Sequence, residues 1–69
     1  MKMNFFKDEW DDFAENCGFT DVELEIIAYL RRGWFCIDIA EQLSLSYSTV
    51  KKGRSRIGKK IARYLTKAG

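Results

Sequence analysis

The sequence predicts a small all-α domain of four helices, containing a helix-turn-helix whose second member is a long C-terminal helix. Three observations carry that reading. Apolar residues recur at three- and four-residue steps in four separate stretches, and no stretch shows the strict alternation of a strand. Proline is absent, so nothing bars any of those stretches from a helix interior. Glycines at 18 and 33 separate the first three runs, and hydroxyl or amide side chains stand ahead of the first, second and fourth.

The first helix is expected over residues 4–17. Asn4 caps it, and Asp8 and Glu9 sit in its early turns, where the macrodipole favours anions. Phe6, Trp10, Phe13 and Cys17 make its apolar stripe, and Gly18 stops it. The second, over 20–32, opens on a capping box, Thr20 with Glu23, and turns Leu24, Ile26, Ile27 and Leu30 to the core with Tyr29 alongside. Arg31 and Arg32 lie at its negative end and Gly33 takes the C′ position. A short third helix, 36–43, points Ile39, Ala40 and Leu43 inward. After Ser44-Leu45-Ser46, with Ser46 as the cap, a fourth helix runs over 47–65 and buries Val50, Gly53, Ile57, Ile61 and Tyr64. Gly53, on that stripe, lets another helix approach closely, whereas Gly58 falls off the stripe and loosens the helix.

Length and composition limit what such a chain does. Sixty-nine residues make one domain, 1–69, which divides into an acidic N-terminal helix (1–18), a tri-helical core (19–61) and a C-terminal extension (62–69). The chain has no histidine and only two cysteines, Cys17 and Cys36, so the usual zinc ligand sets and a histidine general base are excluded. No metal or cofactor is expected. The carboxylates Asp8, Asp11, Asp12 and Glu15 fall on the solvent faces of one helix, and no glycine loop cradles a phosphate, so the chain does not read as an enzyme. No apolar run approaches the ~20 residues of a membrane span, and the opening Met1-Lys2-Met3-Asn4 is not a secretory leader. A cytoplasmic protein with reduced thiols and no membrane partner is expected.

Charge is the functional signal. The net charge of +2 conceals a division: residues 1–45 carry four cations against all ten acids, for −6, and residues 46–69 carry eight cations and no acid, for +8. An acid-free basic helix suits a polyanion, most often nucleic acid and sometimes an anionic membrane surface, where it is not simply a solvated basic face. Its position agrees, because a short helix, a three-residue turn and a longer helix beginning Tyr47-Ser48-Thr49-Val50 have the spacing of a helix-turn-helix, whose second helix enters the major groove N-terminus first.

At these residues the chain resembles the DNA-binding domain of LuxR/GerE-type bacterial transcription regulators. The resemblance covers residues 19–61. It rests on Thr20, Glu23, Glu25, Ile26 and Ile27, then Gly33, then Ile39, Ala40 and Leu43. Leu45, Ser46, Ser48, Thr49, Val50, Lys51, Ile57, Lys60 and Ile61 complete it. Asp38, Phe35 and Gly53 stand where that family usually has glutamate, a polar cap and histidine, and the family's separate fourth helix is missing. The fourth region of bacterial sigma factors, which also ends on its recognition helix, is similar too and ranks second.

The resemblance implies a sequence-specific DNA-binding protein, a bacterial or phage transcription regulator. Lys51, Lys52 and Ser55 would reach base edges, Ser46, Ser48 and Thr49 phosphates, and Arg54 and Arg56 the flanking backbone. Lys59, Lys60 and Arg63 are expected in solvent beyond the groove. The alternative is a protein-interaction module that binds a regulator or RNA polymerase. Trp34, Phe35 and Ile37 divide between core packing and a partner surface, through which a homodimer would place two recognition helices on an inverted repeat.

Overall fold

The computed structural model describes residues 5–68, and these form four helices in chain order, with no strand among them. They are α1 (Lys7–Asn16), α2 (Asp21–Leu30), α3 (Cys36–Leu43) and α4 (Tyr47–Ala68). The fourth helix is the spine: α3, α2 and α1 all pack on it. It runs three residues past the expected end, to about 33 Å in all. Trp10, Phe13, Ile26, Ile27, Ile39, Ala40, Val50, Ile57 and Ile61 make one continuous core.

The first helix starts later than expected, and its stripe differs accordingly. Phe6 is the N-cap residue in extended conformation, while the expected cap, Asn4, lies outside the described residues. Glu9 Oε1 accepts the Phe6 N–H at 3.0 Å, so the capping is done from the third helical residue backwards. Phe6 therefore never joins the helical stripe and is 81% exposed. Phe5 replaces it, meeting Trp10 edge-on at 5.2 Å and Phe13 at 5.0 Å, which is a hydrophobic staple across the cap.

The second helix opens on the expected capping box. Thr20 Oγ1 accepts the Glu23 N–H at 3.2 Å and Glu23 Oε1 accepts the Thr20 N–H at 2.9 Å. Leu24 is 38% exposed and does not join Ile26 and Ile27 in the core. At the other end Gly33 adopts φ +84°, a conformation only glycine takes freely. The Gly33 N–H donates to Leu30 O and the Trp34 N–H to Tyr29 O, a Schellman closure whose usual apolar contact is here Trp34 against Tyr29, rings 4.7 Å apart. Trp34 is thereby held half-buried, while Phe35 and Ile37 stay outside.

The turn between α3 and α4 uses the same device without glycine. Ser44 sits at φ 56°, ψ 40°, its N–H donates to Glu41 O at 3.3 Å, and the Leu45 N–H donates to Ala40 O at 2.9 Å. Leu45 follows into the edge of the core, and Val50, fully buried, seals the hairpin from the other side. Gly53 lies where α4 crosses α2: a Cβ there would stand 2.7 Å from Ile26 Cδ1. Gly58, expected off the stripe, is buried, because the elements packed around α4 cover more than one face of it.

Candidate nucleic-acid interface

Burying Val50, Gly53, Ile57 and Ile61 dictates what α4 shows to the outside. Each residue turns the helix by about 100°, so the side opposite that stripe carries Ser48, Lys52, Ser55 and Lys59 in one row. All four are exposed, as are Lys51 and Arg56 on its two flanks. With no acidic residue anywhere in α4, this surface has one sign of charge. Lys59 is exposed, as expected, and it stands on the row itself, one turn after Ser55.

The start of the helix is built by its own hydroxyls. Ser46 Oγ accepts the Thr49 N–H at 3.1 Å and lies 2.7 Å from Thr49 Oγ1. The capping role expected of Ser46 is therefore present, and it uses part of the hydrogen-bonding capacity of both side chains. Ser48, on the outward row, is not among these capping groups. Tyr47, which sequence reasoning left without a role, is half-exposed at the first helical position, with Lys51 Nζ 5.3 Å from its ring centroid. That contact holds the lysine along the flank of the row. Arg54 sits nearer the core stripe; it is only partly exposed and is engaged within the fold.

Lys60 departs most from expectation. Instead of standing in solvent, its ammonium bonds Glu23 Oε1 at 2.6 Å and Gly18 O at 3.2 Å, and lies 5.9 Å from the Phe19 ring centroid. Glu23 is 4% exposed, so the ammonium neutralises a carboxylate that has left water. Burial pushes the Glu23 carboxyl up, but the Lys60 and Thr20 hydrogen bonds outweigh it and hold the group below its ordinary value. Lys60 is a clasp between α4 and the start of α2, about 100° round the helix from Lys59 on the outward row.

Two further contacts anchor α1. Tyr64 O–H donates to the Asp12 carboxylate at 3.0 and 3.1 Å, which raises the phenol above its ordinary value, and Arg31 Nη1 pairs with Asp11 at 3.4 Å. Among the described residues no group of three or more acidic, cysteine or histidine side chains is placed to hold a metal. The Cys17 thiol is pushed up by burial and then by the Asp12 charge, which suits a packing group and not a nucleophile. No described helix is long and apolar enough to cross a membrane. No family model, curated protein or solved structure matches the chain.

Proposed function

We propose that this chain is a sequence-specific double-stranded-DNA-binding protein of bacterial or phage transcription, reading the major groove with α4. The observation that carries the reading is the acid-free outward row Ser48, Lys52, Ser55 and Lys59, on the second helix of a helix-turn-helix. The row spans about 17 Å from Ser48 to Lys59, against a major groove about 12 Å wide. With α4 entering N-terminus first, Ser48 and the helix start serve phosphate, Lys52 and Ser55 lie over base edges, and Lys59 serves the backbone further along. Lys51 joins them from the flank, steadied by the Tyr47 ring, and the exposed Arg56 serves phosphate on the opposite flank. Ser46 and Thr49 stiffen the helix start, leaving Ser48 and the free N–H groups of the first turn for phosphate. The resemblance of residues 19–61 to LuxR/GerE-type domains, and secondarily to the fourth region of sigma factors, supports the same assignment.

The reading is tested by selecting bound duplexes from a random DNA pool with heparin as competitor. Enrichment of one motif supports it; retention that heparin abolishes, with no motif, contradicts sequence-specific recognition. A second reading, a module that binds a regulator or RNA polymerase, is favoured by one observation. Phe35 is 75% and Ile37 57% exposed, costly for a domain this small unless something covers them.

A further inference from the structure

Phe6, Phe35 and Ile37 are the most exposed large apolar side chains of the described chain, and the first two wall adjoining clefts. A cleft of about 380 Å³ is bounded by Phe6, Trp10, Arg31 and Arg32. A second, of about 510 Å³, is bounded by Trp34, Phe35, Asp38 and Glu41. They share Gly33, the left-handed turn between α2 and α3. The patch is thus aromatic on both sides of its midpoint, cationic on one side and acidic on the other. Arg31 is already paired with Asp11, whereas Arg32, Asp38 and Glu41 form no ion pair with any described residue.

We propose that the occupant of this patch is a second copy of the chain, related by a two-fold axis passing near Gly33. In a two-fold interface the same patch faces itself turned around, so a surface of one sign repels its copy and a surface divided in sign attracts it. Turned in this way, Arg32 of each copy faces Asp38 and Glu41 of the other, twice over, and Phe6 and Phe35 are covered between them. A polyanion does not fit, because half of the patch is acidic. The α4 helix contributes no residue to either cleft, so the pairing does not use the outward row. Covering Phe6 and Phe35 removes about 300 Å² of apolar surface per copy. That is under half of the ~800 Å² per partner of a stable complex, so the dimer is weak and forms at high protein concentration.

The proposal does not rest on DNA binding, and its test uses none. Sedimentation equilibrium of the whole chain up to millimolar concentration is expected to show a reversible monomer–dimer equilibrium. Arg32→Glu alone, and Asp38→Lys/Glu41→Lys alone, each oppose like charges at both contacts and should weaken dimerisation at least ~10-fold. An equimolar mixture of the two restores opposite signs at both contacts and should recover a heterodimer within about threefold of the original affinity. Circular dichroism checks that each variant folds; should the double variant not fold, Glu41→Lys alone takes its place. A chain that stays monomeric throughout, or charge reversals that change nothing or are not rescued by mixing, would overturn the proposal.

Discussion

Replacing Gly53 with alanine separates two opposing effects whose sizes follow from the packing. An alanine in a helix interior is favoured over glycine by about 1 kcal/mol. Against this, the new Cβ would stand 2.7 Å from Ile26 Cδ1, about 1 Å inside normal contact. Ile26 is 0% exposed, so its methyl has no open space to move into. Forcing an extra methyl into a filled core costs about 1–3 kcal/mol. The net expectation for Gly53→Ala is a loss centred near ~1 kcal/mol, or a fall in Tm of about 4–8 °C. Ile26→Val removes the Cδ1 atom and alone costs about 0.5–1.5 kcal/mol. In that background the clash is gone and Gly53→Ala should stabilise by about 1 kcal/mol. The sign of the glycine substitution therefore reverses with residue 26, a coupling that urea denaturation of the four proteins, followed by circular dichroism, measures directly. A Gly53→Ala variant more stable than the parent in the unmodified background would refute the close crossing of α2 and α4.

Other expectations follow from single contacts. Ser44→Gly should stabilise the chain by about 0.5–1 kcal/mol, because φ 56° strains serine more than the extra unfolded-state freedom of glycine costs; thermal denaturation reads this. Lys60→Met leaves the Glu23 carboxylate buried without its cation and should cost about 3 kcal/mol. Because the folded state holds the Glu23 carboxyl below its ordinary value, its contribution is present above the unfolded pKa and disappears as pH falls through the folded one. Glu23→Gln should accordingly flatten the acid limb of a stability–pH curve, and an unchanged acid limb would mean that the clasp is not formed.

The sequence was most informative where structure is local. The Thr20/Glu23 box, the Gly33 stop and the buried stripe of α4 depend on residues three or four apart, which is the range periodicity reads. Whether Phe5 or Phe6 packs depended on which residue is the cap, and two adjacent phenylalanines give periodicity nothing to choose between. Serine in a left-handed position concealed the closure after α3, since the usual signal there is glycine. Lys60 looked like one more cation of a basic helix because its partners, Glu23 and Gly18, are far away in sequence. The candidate interface was legible for the opposite reason: the exposed row follows once the buried stripe is known, and Lys59 and Tyr47 needed only that geometry.

The central claim is that the outward face of α4 binds duplex DNA through its cations. Its most direct measurement is the affinity of the parent chain and of Lys51→Ala/Lys52→Ala for a selected duplex, titrated over a range of salt. For four to six phosphate contacts log K should fall against log salt with a slope of about −4 to −5. The double substitution should reduce affinity by about 2–5 kcal/mol, and should make the slope shallower if either lysine contacts phosphate. Affinity and slope both unchanged in the double variant would contradict the assignment of α4 as the recognition helix.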